Sequence, residues 1–597
     1  MRNFLIFLLS LSVMMTSCSD FLDREQANSM SPEDVFSSPD AIEAYFISLY
    51  KDLPIESFNF CQGNMTNFPG HGNRYMANWT QEAVWSTTYG GGEFNNNWNL
   101  CYTNIRRITE MIKILESGAL PDKLQSSYDA LMGEALFLRA YNYFTLVKMF
   151  GGVPLITELL DPTSPIEELL VPRDKELAVW NLIAEDLEFA AEHMPEESIY
   201  GRANKYVAAA LMSRSMIFAA SVAQHGQVQL DGVVGLPINE AERFYNLSIK
   251  GSEMVINSGK YDLMTGPDPA QAFYDLFVNP DNQESIFVKG YDFPATRRTH
   301  SHDLMILPAP INAPLNYGGR LAPTLQMVEA FGYTDGSSGE LKIYDDNGDP
   351  IVYEQPEDIY NGKDPRMFAS FITTNSMAKG TKIVIQDGVA YRENGALRML
   401  VGSDPNLYFD MDKKEFVDSK TDILGTGNAL DRRNLSGVFA RKYMDPERPA
   451  ALCTDWRSQT HWIDIRFAEV LMNHAEANFQ LGNNDKALTS INRVRARANM
   501  PAHTSLNFDK IKNEWLVEFV YENKYFWNLR RWRSLVPDLN TFQAQRLRYF
   551  YDIDNDGYVY NVENRDGMKN YQDRHYYNTI PGDQIQVNPL LVQNPGY

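Results

Sequence analysis

Two stretches of this sequence mix aromatic rings with amides and charged groups outside any helical period. In residues 68–98, Tyr75, Trp79, Trp85, Tyr89 and Trp98 interleave with His71, Asn73, Arg74, Asn78, Gln81, Asn95, Asn96 and Asn97. Gly90-Gly91-Gly92 makes that stretch pliable, because glycine reaches backbone conformations closed to other residues. In residues 291–320, Tyr291, Phe293, Arg297, Arg298, His300, His302, Asn316, Tyr317 and Arg320 share the segment with prolines at 294, 308, 310 and 314. Those prolines reduce the entropy lost on ordering. Such a mixture suits a hydroxyl-rich ring compound: exposed Trp and Tyr cover flat C–H faces, and Asn, Gln, Asp and Arg bond the hydroxyls. The candidate ligand-binding residues are Tyr75, Trp79, Trp85, Tyr89, Asn96, Tyr291, Arg297 and Tyr317. Trp98 and Tyr102 share one helix face and are expected to pack. Trp456 and Trp462 precede a core helix and are read as structural.

A second constellation suits a hard cation. Asp552-Ile553-Asp554-Asn555-Asp556-Gly557, followed by Glu563, fits the EF-hand loop spacing. Asp552, Asp554, Asp556, the Tyr558 carbonyl and Glu563 form the expected ligand set for a structural Ca2+. The flanks do not read as two helices, and an acidic solvated turn is the alternative. Catalytic signatures are missing. There is no HExxH, GxSxG elbow, P-loop or GxGxxG. His300 and His302 are read as loop residues. Glycoside hydrolysis needs only two placed carboxylates, and the 77 acids offer no pair to nominate.

The N-terminus carries a targeting signal. Arg2 precedes an apolar run over 4–15, and small Thr16 and Ser17 precede Cys18. The run is too short for a spanning helix and reads as a cleaved secretory signal. Met15-Thr16-Ser17-Cys18 is similar to a bacterial lipobox, which makes Cys18 the expected lipidation site. Two or more acyl chains there anchor a protein stably. Cys61, Cys101 and Cys453 remain; three buried thiols are expected, with a Cys61–Cys101 bridge as the alternative. With 54 Lys and Arg against 77 Asp and Glu, the net charge is −23. That balance argues against nucleic acid or anionic lipid as a partner, since polyanions are bound through cationic side chains.

The elements that must position these groups are mostly helical. Leu136, Ala140, Tyr143, Phe144 and Val147 form a helical stripe ended by Gly151-Gly152. Further helices are predicted at about 100–117, 175–193, 203–222 and 240–258. From about 260 to 460 the chain is rich in Pro, Gly, Asn and Asp, with short strands near 284–288 and 382–386. Helices return at 463–480, 485–498 and 508–530, and the tail after 535 reads as irregular. Leu481-Gly482 with Ala487 matches the turn of a tetratricopeptide hairpin.

The order of several motifs resembles the SusD/RagB family of Bacteroidetes outer-membrane lipoproteins. Those motifs are Asp20-Phe21-Leu22-Asp23 behind Cys18; Arg139-Ala140-Tyr141-Asn142-Tyr143-Phe144 with Phe150-Gly151-Gly152-Val153-Pro154; Gly201-Arg202-Ala203; and Ser258-Gly259-Lys260-Tyr261. Gln283-Glu284-Ser285-Ile286-Phe287, Ile465-Arg466-Phe467-Ala468-Glu469, Leu529-Arg530-Arg531-Trp532 and the ending Asn594-Pro595-Gly596-Tyr597 continue the order. Trp515, Tyr525 and Asn528 depart from it, standing where Arg, Arg and Asp are common. The resemblance implies a mostly α SusD-like fold with tetratricopeptide-like hairpins and a loop-rich ligand-binding region. It divides the chain into a signal (1–17), an N-terminal helical region (18–260) and a C-terminal region (261–597). The last is loop-rich over 261–460, helical over 461–535 and irregular over 536–597. It further implies a non-catalytic lipoprotein on the outer membrane, facing outward, that delivers oligosaccharides to a SusC-like TonB-dependent transporter. The same scaffold binding peptides is the alternative, and a lipid-anchored glycosidase a third.

Overall fold

The computed structural model describes residues 38–58, 95–118, 121–292, 298–308, 311, 323–401, 407–410, 415–418, 425–426, 437–454, 456–564 and 571–597. Cys18 and the expected 1–17 signal lie outside them. The N-terminal half is a helical array: α1 (Pro39–Lys51), α2 (Asn95–Glu116), α3 (Tyr128–Phe150), α4 (Glu176–His193), α5 (Lys205–His225) and α6 (Ala241–Ile256). The expected stripe on α3 understates its burial. Nearly every side chain from Met132 to Phe150 is enclosed, because α2 and α4 both pack on it. Helix α5 is also enclosed. Among the described residues it alone is long and apolar enough to cross a membrane, yet it is core. It packs on α6 as a close hairpin. A Cβ at Gly251 would come within 2.5 Å of the Ala209 carbonyl oxygen, so only glycine permits this approach. The hydroxyls of Ser213 and Ser252 bond across it at 2.7 Å.

The chain continues through α7 (Pro269–Val278), β1 (Ser285–Lys289), α8 (Pro365–Ser370), β2 (Gly388–Glu393) and β3 (Ala396–Val401). It then forms β4 (Trp462–Arg466), α9 (Phe467–Gln480), α10 (Asn484–Arg497), α11 (Phe508–Glu518), α12 (Tyr525–Arg531), β5 (Gln545–Asp552) and β6 (Gly557–Asn564). Helices α9 and α10 make the expected tetratricopeptide-like hairpin. Gly482 takes the left-handed turn with φ of 79°, and Ala475 and Ala487 are fully buried.

Three expectations need correction. Residues 463–466 are a strand, not helix: β4 pairs antiparallel with β1. Trp462, Ile463 and Ile465 are β-favouring residues buried on both faces of the strand, and burial on both faces removes the alternation that marks one. Helix 508–530 is two helices, broken where Tyr521 and Asn523 adopt φ of 63° and 59°. The tail is not irregular. Strands β5 and β6 pair over their whole length, and the sheet runs β6-β5-β2-β3 with β5 parallel to β2.

A large apolar core runs from Ile42 to Leu591 through the helices. A second surrounds residues 305–560. Buried charges join them. Arg466, ending β4, bonds Glu284 (2.8 Å), Glu518 (2.6 Å) and Glu522 (2.7 Å). Arg366 of α8 bonds Glu514 (2.5 Å) and Glu518 (2.7 Å). Arg497 reaches Glu284 and Glu518, and Lys442 reaches Glu522 at 2.6 Å. Burial pushes the Glu518 carboxyl up, but Arg497, Arg466 and Arg366 outweigh it and hold it well below the usual range. Burial likewise opposes ionisation of Glu469, yet Arg214 and Lys524 bring it down to about 2.

Removing one partner leaves the others buried and uncompensated. Glu518→Gln is therefore expected to lower the unfolding free energy by about 3–5 kcal/mol, read from urea denaturation. The depressed carboxylates set an acid limit. Their folded values lie below the unfolded value of about 4.3, so their contribution is complete above roughly pH 5 and lost as pH falls toward about 2. His300, His302, His503 and His575, held neutral by burial, take up protons only on unfolding, so the melting temperature should begin to fall below about pH 6.5 and fall more steeply below about pH 4. Glu469→Gln should flatten that acid limb.

Candidate functional site

Most of the predicted ligand residues fall where the structure says nothing of them. Tyr75, Trp79, Trp85, Tyr89, Arg297 and Tyr317 lie outside the described residues, and Asn96 sits in the first turn of α2. Tyr291 is described, and it is interior. It is 1% exposed, with its hydroxyl 2.6 Å from Ser57 Oγ. It belongs to a ring cluster centred on Phe58, which stacks on His300 at 4.0 Å and meets Tyr291, His302, Tyr443 and Trp462. Trp98 packs as expected, edge-on to Phe150. Cys101 and Cys453 are buried free thiols, and Cys61 lies outside the described residues.

The segment after Tyr291 builds one wall of a cleft. His300 and Ser458 exchange backbone hydrogen bonds (3.1 and 2.9 Å), which lays 298–301 beside 456–460. The cleft, of about 350 Å3, is lined by Thr299, Arg448, Leu452, Thr454, Arg457 and Gln459, with Ala451. His300 braces it from beneath. The His302 N–H donates to His300 Nδ1 (3.2 Å), so Nε2 carries the proton and gives it to the Thr460 carbonyl (2.9 Å). Burial holds His300 well below its ordinary pKa and also lowers His302. Both are neutral struts, and His302 opens a short helix (His302–Ile306) where a loop is expected.

Carboxylates stand behind Arg448, outside the lining itself. Asp303 is fully buried. Its N–H donates to Ser458 Oγ (3.1 Å), and its Oδ1 accepts from the Asp445 N–H (3.0 Å). Arg448 Nε stands 3.9 Å from Asp303 and 3.7 Å from Asp445, close enough to be held but not hydrogen-bonded.

Trp456 departs from the structural role expected of it. Trp462 fulfils that role, 1% exposed and stacked on Tyr443. Trp456 is 50% exposed, and its backbone sits in the left-handed region at φ 57°, anchored by its N–H on Ser301 Oγ (2.9 Å). A bulky residue held there is strained, and such strain concentrates at ligand sites. Its position between Thr454 and Arg457 gave no signal in the sequence. A larger cleft of about 620 Å3 contains Arg533, Tyr576 and Tyr577. There Arg533 lies 4.8 and 4.9 Å over the tyrosine rings, so those faces are already occupied.

The expected calcium ligands are not gathered. Asp552 pairs with Gly557 at the end of the β5–β6 hairpin, and Glu563 lies six residues further up β6, opposite Arg546. At about 3.3 Å per residue that is roughly 20 Å away, and Glu563 ion-pairs with Arg546 at 2.5 Å. The Tyr558 carbonyl accepts from the Tyr353 N–H (2.9 Å). Asp552 accepts from the N–H groups of Asp554 and Asn555 and from Arg392, an acidic turn satisfied by protein donors. Among the described residues no three His, Cys, Asp or Glu are placed to hold a metal.

Comparison with known proteins identifies the lineage. The model of the SusD family matches residues 283–597. The chain belongs to the SusD family. A second SusD-like model, described as starch-binding and associating with the outer membrane, matches residues 20–217. A SusD-like protein of Bacteroides ovatus is 23% identical over the whole chain and 98% of its own length. Among solved structures, a SusD-like protein from Bacteroides fragilis superposes with a TM-score of 0.66 at 23% identity, covering 95% of this chain and all of that one. A SusD-like carbohydrate binding protein from Bacteroides fragilis gives 0.62 at 18% identity, covering 94% and 100%. The mostly α SusD fold implied by the motifs is therefore the fold observed.

Trp456→Gly relieves the left-handed backbone while deleting the exposed ring. Thermal stability is expected to hold or rise, by up to about 1 kcal/mol; a marked loss would place Trp456 in the core. Chelation followed by added calcium is expected to leave the melting temperature unchanged.

Proposed function

We propose that the chain is a lipid-anchored glycan-binding protein of the cell surface. It captures oligosaccharides and passes them, without catalysis, to a SusC-like TonB-dependent transporter in the outer membrane. One observation carries this reading: a strained, exposed tryptophan, Trp456, on the segment whose Thr454, Arg457 and Gln459 line a cleft together with Arg448 and Thr299. A sugar ring stacks its C–H face on such an indole and gives its hydroxyls to such groups. Membership of the SusD family supports it, as does the carbohydrate-binding relative of the same fold. The description of the N-terminal family model supports attachment to the outer membrane, and Cys18 is the residue we assign to the lipid.

The test is a glycan array and a peptide pool applied to the protein beginning after Cys18. Binding to oligosaccharides is expected, lost by at least tenfold in Trp456→Ala, with no reducing ends released on incubation. Binding to peptides alone would turn the reading to peptide capture, and product release would make the protein a glycosidase. Co-purification with a TonB-dependent transporter from outer membranes tests the partner.

A further inference from the structure

We infer that the cleft beside Trp456 selects anionic glycans, those bearing carboxylate or sulfate groups. The inference rests on the glycan-binding reading and narrows it. The protein as a whole is strongly acidic, at −23, yet among the described residues lining this cleft there is no carboxylate. Arg448 and Arg457 are its charged members.

Arg448 is arranged for such a ligand. Asp303 and Asp445 hold its Nε side at 3.9 and 3.7 Å without a hydrogen bond. One oxygen of each is committed to backbone, Asp303 Oδ1 to the Asp445 N–H and Asp445 Oδ1 to the N–H groups of Glu447 and Arg448, and the Oδ2 of each faces Arg448 Nε. The guanidinium is thus positioned while its terminal donors remain for the cleft. A planar fork of that kind pairs bidentately with carboxylate or sulfate oxygens. Lys379 adds a further cation behind it. Its ammonium donates to the carbonyls of Asp445 and Arg448 and so stiffens the turn that carries Arg448.

The global negative charge does not cancel this. Charges more than about 8–10 Å away are largely screened at physiological ionic strength, so a ligand inside the cleft answers mainly to the groups that line it. The acidic exterior slows approach of an anionic polymer, and the cleft favours it on arrival.

Calorimetry with paired probes separates the possibilities. Oligogalacturonides are compared with their carboxyl-reduced forms, and sulfated galactan oligosaccharides with their desulfated forms. The charged member of at least one pair should bind at least tenfold tighter, and the preference should shrink as salt is raised. The pair that shows it distinguishes carboxylate from sulfate. Arg457→Gln and Arg448→Gln should each remove most of that preference, weakening the charged member by at least tenfold and the neutral member much less. Arg457 is exposed, so its variant keeps the test valid if Arg448→Gln unfolds. Neutral and charged members bound equally, or the neutral bound better, would overturn the anionic preference while leaving glycan capture intact. Failure to bind any glycan on an array would overturn both.

Discussion

Glu518 is a fully buried carboxylate with three guanidiniums in contact. Its partners belong to different parts of the chain: Arg466 to β4, Arg497 to α10, Arg366 to α8. Taking those ions out of water costs several kcal/mol each, and only near-ideal geometry recovers it. The cluster therefore tolerates one arrangement of these elements. Cations and carboxylates balance, with Arg366, Lys442, Arg466, Arg495 and Arg497 facing Glu284, Asp364, Glu514, Glu518 and Glu522. The break after α11 also follows from this constraint, because the left-handed turn is what brings Glu522 round to Arg466 and Lys442.

The same cluster sets the cleft. Lys442 gives its ammonium to Glu522, and its carbonyl accepts from His302 Nε2 at 3.0 Å. The His302 backbone holds His300, and His300 holds the strand-like segment that carries Trp456 and Arg457. A neutral imidazole suits that place, since its two nitrogens bond a donor and an acceptor in fixed order. The ring cluster beneath adds Phe58, so the end of the 38–58 segment is packed against the cleft's supporting wall. Rigid backing of this kind lets an exposed aromatic hold its orientation without a ligand present.

Much of this could be read from residue order. The long helices of the N-terminal half declare themselves by apolar spacing and Gly stops, and their ends fall within a few residues of expectation. The family was legible too, because ordered short motifs survive where overall identity is low. Elements buried on both faces were not. β4 looked like the start of a helix, and β5 looked irregular, because Tyr549, Phe550, Tyr551 and Asp552 are all enclosed and leave no alternation. The calcium pattern failed for a related reason: spacing defines a loop only if the backbone folds back, and β6 runs straight. Trp456 was missed because its significance lies in a backbone angle and an exposure, neither of which is written in its neighbours.

Helix α5 carries a consequence for how such a protein reaches its destination. Its 21 residues are apolar enough to be taken for a membrane anchor, a hazard for any polypeptide threaded unfolded through a translocation channel. Arg214 stands at its middle. A central arginine raises the cost of lateral escape into lipid by about 2.5–3.5 kcal/mol, which favours passage over arrest. Once folding is complete the same guanidinium is paired with Asp464 and Glu469. The charge that would oppose entry of an unfolded α5 into lipid is, in the folded chain, what bolts α5 to the β4–α9 junction.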